Sequence, residues 1–222
     1  MKKTLISLFV ALPMLQIIQA QGITYLSNLN QPSAGNLAVG SDSWLAVGFD
    51  VGTNASGYML NSIQLNLTGA SGNPNTFVFL LYSAIGHGDF YPGSSLGTLN
   101  GSTDPSVGGV FTYFPAEELM LLPNTAYFIV LTAGTAVANG AYDWSYAGSS
   151  FYNSSGGWQA PLGRAAVDNY QSIDGSNWNV FGGSSQFAIT ATPIPEPSAE
   201  MLLGLGGILL LGCGRWKAKA VY

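Results

Sequence analysis

The fold is decided by a short polar and apolar alternation, Ser62-Ile63-Gln64-Leu65-Asn66-Leu67-Thr68. In an extended chain, Ile63, Leu65 and Leu67 lie on one side and the polar residues lie on the other. A period of two is typical of a β-strand with one buried face. Residues 186–192 (QFAITAT) repeat the same alternation.

Further strand patterns lie on both sides of these two. Residues 76–82 (TFVFLLY) and 125–132 (TAYFIVLT) are almost continuously apolar, which predicts central strands. Weaker patterns cover 44–51, 110–114 and 142–146, and no window favours a helix. Turns are indicated by five dipeptides: Asn73-Pro74, Gly108-Gly109, Asn139-Gly140, Gly156-Gly157 and Asp174-Gly175. The sequence therefore predicts an all-β fold at 21–192, a β-sandwich of jelly-roll or immunoglobulin-like type.

A local motif supports the sandwich prediction. Leu121-Leu122-Pro123-Asn124-Thr125-Ala126-Tyr127 places a turn just before an apolar strand, with a tyrosine at the start of that strand. In a tyrosine corner the hydroxyl bonds back to backbone a few residues upstream. We expect Tyr127 to do so.

Charge is scarce and unevenly placed. Charged residues make up 8% of the 222-residue chain, against about a quarter in an average soluble protein. Of the six basic residues, only Arg164 lies between the two ends. The domain therefore lacks the basic surface that nucleic acid requires, and we expect no nucleic-acid partner. The single cysteine, Cys213, lies in a C-terminal apolar run, so the domain has no disulfide.

The N-terminus reads as a secretory signal peptide at 1–20. Lys2 and Lys3 precede an apolar stretch, and Ala20 is a small residue at the cleavage position. Signal peptidase is then expected to cut between Ala20 and Gln21. The alternative is an uncleaved N-terminal anchor.

The C-terminal region has three parts in a fixed order: a Pro-rich segment at 193–200 with Pro195-Glu196-Pro197, an apolar run at 201–214, and a basic tail at 215–222 with Arg215, Lys217 and Lys219. As a helix the run is about 21 Å long, short of a hydrocarbon core of about 30 Å. The basic tail favours a cytoplasmic C-terminus, which leaves the β domain outside.

This arrangement resembles the PEP-CTERM sorting domain of bacterial exosortase substrates. The resemblance implies that an exosortase recognises Pro195, Glu196 and Pro197. It also implies that the apolar run is a transmembrane helix holding the protein transiently in the inner membrane. The mature protein would then reach the cell surface or the extracellular matrix of a biofilm. The alternative is a simple single-pass anchor.

The middle of the chain, from 44 to about 133, resembles the choice-anchor family of bacterial surface domains, nearest its R type. The resemblance is carried by separate stretches: Gly48-Phe49, the strand from Tyr58-Met59-Leu60 to Leu67, the strand from Phe77 to Tyr82, Tyr91-Pro92-Gly93 with Leu96-Gly97-Thr98-Leu99, and Leu122-Pro123-Asn124-Thr125-Ala126-Tyr127-Phe128. It implies surface display without catalysis.

Catalytic motifs are weak, and we expect no enzyme and no catalytic residue. Gly93-Ser94-Ser95-Leu96-Gly97 matches the nucleophile elbow, but the only histidine, His87, precedes it instead of following it. Adjacent carboxylates at Glu117 and Glu118 would point to opposite faces of a strand. A secreted enzyme stays open only if distant carboxylates converge in a cleft.

Metal and cofactor signals are also weak, so we expect no cofactor and name no metal ligands. His87-Gly88-Asp89 is more simply a polar loop than a metal site. Several aspartates lie near Gly, Asn or Ser, which favours either a structural calcium or ordinary turns.

Two tryptophans are candidate sugar-contact residues. Trp158 and Trp178 lie in Gly-, Ser- and Asn-rich stretches, SSGGWQ and DGSNWN, where a ring can be exposed. The alternative is an ordinary place in the core. The sequence thus predicts a structural or adhesive surface protein, with an exopolysaccharide-binding module as the second hypothesis.

Overall fold

The computed structural model describes residues 22–86, 90–160 and 169–196. These ranges contain strands, one short 3-10 turn (Val137–Asn139) and no α-helix, which confirms the predicted all-β class. The strands are β1 (Ile23–Ser27), β2 (Ser33–Val39), β3 (Trp44–Asp50), β4 (Tyr58–Gly72), β5 (Val78–Ile85), β6 (Tyr91–Asn100), β7 (Val107–Pro115), β8 (Met120–Leu121), β9 (Ala126–Thr132), β10 (Gly140–Ala147), β11 (Asn153–Ser154), β12 (Asn169–Ser172), β13 (Asn179–Phe181), β14 (Ser184–Ser185) and β15 (Phe187–Pro193).

The strands form one antiparallel sheet that curls over on itself. Its main path runs β11-β1-β15-β4-β7-β6-β5-β9-β3-β12-β13. The first half contains β1, β2, β4, β7, β8, β10, β11, β14 and β15; the second half contains β3, β5, β6, β9, β12 and β13. The halves are joined through β6 and β7, where Leu99 pairs with Pro115 and Asn100 with Phe114. This short link lets the second half fold back over the first.

The longest strand, β4, organises the first half. It pairs with β15 from Tyr58 to Leu65 and with β7 on its other side, through residues such as Ile63 and Leu67. From Leu67 onward β10 replaces β15 as the neighbour of β4, and β10 in turn pairs with β2. The alternation of residues 62–68 lies in the middle of this strand.

The main core lies between the two halves. Ile63 and Leu65 are fully buried and Leu67 is 1% exposed, so the predicted buried face is confirmed. The facing strand β9 is buried on both sides. Its odd-numbered residues, such as Ile129 and Leu131, join the main core, whereas Phe128 and Val130 join a second cluster outside it. A near-continuous apolar run is what such a two-sided strand requires.

The tyrosine corner is confirmed. The Tyr127 hydroxyl accepts a hydrogen bond from the Leu122 backbone N–H at 2.9 Å. Between them Asn124 has a left-handed φ of 51°, a conformation that asparagine tolerates better than most residues. The corner fixes how the chain enters β9.

One buried amide ties three segments of the first half together. Gln186 is fully buried. Its Oε1 accepts from Ser145 Oγ at 2.6 Å and from Asn66 Nδ2 at 2.8 Å, and its Nε2 donates to the Gln31 carbonyl at 2.6 Å. The polar group is therefore satisfied despite its burial.

Several local predictions are corrected. Gly108 and Gly109 do not form a turn but belong to β7, where Gly109 pairs with Leu67. Glu117 and Glu118 lie in the loop between β7 and β8 rather than on a strand. The predicted turns at Gly156-Gly157 and at Gly175 are confirmed by left-handed φ values of 60°, 80° and 74°.

The Gly93-Ser94-Ser95-Leu96-Gly97 stretch lies inside β6. A nucleophile elbow instead sits on a turn between a strand and a helix. The surroundings of this match therefore differ from those of a nucleophile elbow.

The predicted targeting segments fall largely outside the described ranges. These are the signal peptide with Ala20 and Gln21, and the chain from Pro197 onward with Arg215, Lys217 and Lys219. Across the ranges that the structure describes, no helix is both long and apolar enough to span a bilayer. The last strand includes Pro193, which pairs with Tyr58, one residue beyond the predicted domain boundary.

Candidate functional site

The second half of the sheet carries an aromatic surface on the side facing away from the main core. Ala46, Phe128 and Val130 form its fully buried floor. We call the side chains around that floor the outer aromatic face: Trp44, Tyr82, Phe90, Tyr91, Tyr170 and Trp178. Strand alternation produces this face, because the residues before and after each floor residue point into the main core.

Aromatic contacts cross the floor from strands at opposite sides. The Tyr170 ring lies edge-to-face against Phe128, with centroids 5.5 Å apart, and against Tyr91 at 5.6 Å. Tyr91 belongs to β6 and Tyr170 to β12, two strands separated by β5, β9 and β3. The start of β6 therefore reaches over the sheet, and Tyr91 remains 37% exposed.

The turn between β12 and β13 places Trp178 at the border of this face. Asp174 Oδ1 accepts from the backbone N–H groups of Ser176 at 2.8 Å and Asn177 at 3.1 Å. The bond from Ser176, followed by the bond from Asn177, lowers the pKa of Asp174 to about 2. Gly175 lies against the Trp44 ring, where an added Cβ would come within 2.8 Å of the ring. The turn is therefore both capped and packed onto the face.

The two predicted sugar-contact tryptophans have different environments. Trp178 is partly buried and packs against the second cluster, beside the exposed Asn177 and Asn179. Trp158 is only 2% exposed and stacks on Tyr25 and Phe49 inside the main core. The prediction for Trp158 is wrong, because the glycine turn before it folds the ring inward and leaves no free ring face.

The sequence analysis missed most of the outer aromatic face. Tyr82 and Phe128 lie in runs that are apolar at every position, so the sequence does not show which residues face outward. Tyr91 joins the face only because β6 curves over the sheet. One available signal was that odd- and even-numbered positions are both apolar in these runs. A strand that is buried on both sides requires this pattern.

Three aspartates of the described ranges make local hydrogen bonds. Asp42 accepts from the Val137 backbone N–H at 2.8 Å, and Asp50 accepts from Gln159 Nε2 at 3.1 Å. Asp104 accepts from the Tyr142 hydroxyl at 3.1 Å. Burial, and then this bond, raises the Tyr142 pKa to about 12. Across the described residues no three His, Cys, Asp or Glu side chains are grouped as metal ligands; Asp168 and His87-Gly88-Asp89 lie outside that part.

The described part of the molecule also has two shallow grooves, whose linings contain none of the residues of the outer aromatic face. One, of about 410 Å³, lies at the open edge between β2 and β12, where Ser43 Oγ accepts from Gln171 Nε2 at 3.0 Å. The other, of about 360 Å³, is lined by Glu117 and Glu118 with Leu96 and Thr98. Glu117 and Glu118 thus border one groove, contrary to the expectation that they point to opposite faces of a strand.

The end of the domain presents the first part of the Pro-Glu-Pro element. The Ile194 backbone N–H donates to the Gly57 carbonyl at 3.0 Å, and Asn54 Nδ2 donates to the Ile194 carbonyl at 3.0 Å. Pro195 and Glu196, directly after this clamp, are exposed. Pro197 lies outside the described ranges.

Comparisons of the chain with family models, with curated proteins and with solved structures find no match.

Proposed function

We propose that this chain is an exported bacterial surface or extracellular-matrix protein with a structural or adhesive role, sorted by an exosortase after signal peptidase cleavage. Its β domain would be a β-sandwich of the choice-anchor kind. The apolar run at 201–214 would hold it transiently in the inner membrane before its release to the surface.

The observation that carries this proposal is the position of Pro195 and Glu196. They follow Ile194, whose backbone N–H and carbonyl are both hydrogen-bonded to the domain. Since they are exposed, a processing enzyme can reach them without unfolding β15. A rigid proline-containing segment next to a folded domain is a suitable recognition element, because little conformational entropy is lost on binding.

The composition supports the same proposal. The described residues contain no Lys or Arg, and Asp42, Asp50 and Asp104 bond to a backbone N–H, an amide and a hydroxyl group. Such a surface avoids strong attraction to nucleic acid or anionic lipid. It suits a protein that lies among neutral polymers outside the cell.

The test is to express the full chain in a bacterium that has an exosortase and to replace Pro195 and Glu196 by alanine. Mass spectrometry of the mature C-terminus and cell fractionation give the outcome. We expect the variant to keep its tail and to accumulate in the inner membrane. Glu117→Ala, a change of another exposed glutamate, is the control and should be processed normally. Unchanged processing of the Pro195/Glu196 variant would refute the proposal.

The outer aromatic face supports a second candidate, binding of a neutral polysaccharide. Apart from the buried Tyr170, its aromatic rings are partly exposed, and exposed asparagines flank Trp178. Apolar C–H faces of sugar rings pack on aromatic rings, and amide groups bond to the hydroxyls. Trp178 and Tyr91 would provide the stacking surfaces.

Retention of the full chain on immobilised exopolysaccharides tests this candidate. We expect Trp178→Ala and Tyr91→Ala to weaken retention several-fold. The matched control is Phe151→Ala, since Phe151 is 62% exposed but precedes β11 in the other half of the sheet. Equal retention of all four proteins on every glycan would exclude this face as the binding site.

A further inference from the structure

Four adjacent strands begin or end at the same end of the first half-sheet. Ile23 begins β1, Pro193 ends β15, Tyr58 begins β4 and Leu121 ends β8. Their pairing sets them side by side, because Ile23 pairs with Ala191 and Tyr58 pairs with both Pro193 and Leu121. The chain therefore leaves the described domain from this end, next to the start of β1.

Large apolar side chains are exposed around this end. Ile23 is 52% exposed, Met120 is 55% exposed and Leu122 is 50% exposed. The backbone of Leu121 and Leu122 lies beside Gly57, the residue whose carbonyl accepts from the Ile194 N–H. We call Ile23, Met120 and Leu122 the exit rim, because they surround the point where the chain leaves the sheet.

The length of chain beyond the rim limits what it can contact. Seven residues lie between Pro193 and Met201, the start of the apolar run, so a fully extended chain places the two at most about 29 Å apart. If the run lies in the hydrocarbon core, the rim is the part of the domain nearest the bilayer. A tether this short produces a high effective concentration, so a weak apolar contact suffices.

The charge around the rim is compatible with a lipid interface but provides no electrostatic attraction. The described residues have no Lys or Arg. The nearby acids Glu117 and Glu118 line the groove with Leu96 and Thr98, towards β6. Contact would therefore depend on insertion of apolar side chains and should be insensitive to salt.

We propose that the exit rim rests on the lipid interface of the bilayer while the protein is held by its C-terminal run. The three apolar side chains enter the interfacial region and orient the domain, with β4 directed away from the membrane. This inference rests on the proposed membrane-held stage and adds a defined contact surface to it. Exosortase would then meet Pro195 and Glu196 close to the membrane surface.

The experiment uses the full chain with Cys213→Ser, reconstituted into phosphatidylcholine vesicles. A nitroxide is attached at Leu122→Cys or Met120→Cys, and its collisions with oxygen and with an aqueous nickel complex are measured. The control is Val107→Cys: Val107 is 75% exposed and pairs with Gly69, about 33 Å along β4 from Met59. Near-ultraviolet circular dichroism verifies that each labelled protein is folded.

We expect both rim labels to collide several-fold less with nickel than the Val107 label, at low and at high salt. Equal nickel access at all three positions, in protein that floats with the vesicles, overturns the rim contact and leaves the membrane-held stage intact. Protection that disappears in high salt overturns the apolar insertion. If the unlabelled Cys213→Ser chain does not float with the vesicles, both the membrane-held stage and the rim contact are wrong. Protection of the rim labels only after an exosortase is added shows a protein contact and likewise overturns the lipid proposal.

Discussion

The indole ring of Trp158 stacks on the phenol ring of Tyr25, with ring centroids 5.2 Å apart and ring planes at 14°. It also stacks on Phe49 at 6.0 Å and lies edge-to-face against Tyr58 at 5.1 Å. These partners belong to β1, β3 and β4. Trp158 therefore joins the two halves of the sheet at the end from which the chain leaves.

Replacing Trp158 with alanine should destabilise the protein strongly. The change removes a large buried ring and leaves a cavity, which costs about 3–5 kcal/mol. Urea unfolding followed by far-ultraviolet circular dichroism measures the loss. Phe151→Ala, at a ring that is 62% exposed, should change stability by less than about 0.5 kcal/mol. Similar losses for the two variants would contradict the core position of Trp158.

Tyr127→Phe should weaken the entry to β9. In the unchanged protein the Leu122 N–H donates to the Tyr127 hydroxyl at 2.9 Å. The variant keeps the ring but removes this acceptor. Loss of such a bond costs about 1–2 kcal/mol. The midpoint of urea unfolding is the measurement, with Tyr91→Phe on the exposed outer face as the matched control. If the two variants are equally stable, the corner bond does not contribute.

Asp174 should make stability depend on pH below 4. Backbone hydrogen bonds, from Ser176 first, lower its folded pKa to about 2, whereas an unfolded aspartate has a pKa of about 3.9. The ionised form is favoured by the fold, so its contribution is present above about pH 4 and is lost as pH falls towards 2. Melting temperatures between pH 2 and pH 5 should fall less steeply for Asp174→Asn. Parallel curves for the two proteins would count against this role.

Asp50 should have the opposite effect. Partial burial raises the pKa of its carboxyl, and the bond from Gln159 only partly offsets this. The protonated form is then favoured in the fold, so stability decreases as pH rises from about 3.9 through the raised folded pKa. Asp50→Asn keeps an acceptor for Gln159 and should unfold at a higher temperature at pH 7, with the difference vanishing near pH 3. A less stable variant at pH 7 would show that the charge is useful to the fold.

The fold class could be predicted because strand alternation is a local property. Ile63, Leu65 and Leu67 are spaced by two, and any packed structure must bury that side. The Tyr127 corner could also be predicted from the sequence, since the turn and the tyrosine are only a few residues apart. Short strands such as β8, β11 and β14 have no such pattern, because each is defined by its partner and not by its own residues.

The placement of the aromatic rings could not be predicted in the same way. Trp158 and Trp178 have similar polar and glycine-rich neighbours in the sequence, yet one lies in the core and the other borders the outer face. The difference arises because the turn before Trp158 packs against Gly52. A Cβ atom added at Gly52 would collide with the Gly156 carbonyl in that turn and with the Trp158 ring. Gly52 is far away in the chain.

By itself the sequence determined that the chain forms β-strands, that its middle is almost uncharged, and that Pro195 and Glu196 follow the last strand, because each depends on neighbouring residues. Only the tertiary structure decided which rings are buried, that β6 reaches over to β12, and that β1, β4, β8 and β15 meet where the chain leaves the domain. Those relationships join residues distant in sequence, and the packing of strands against one another selects them.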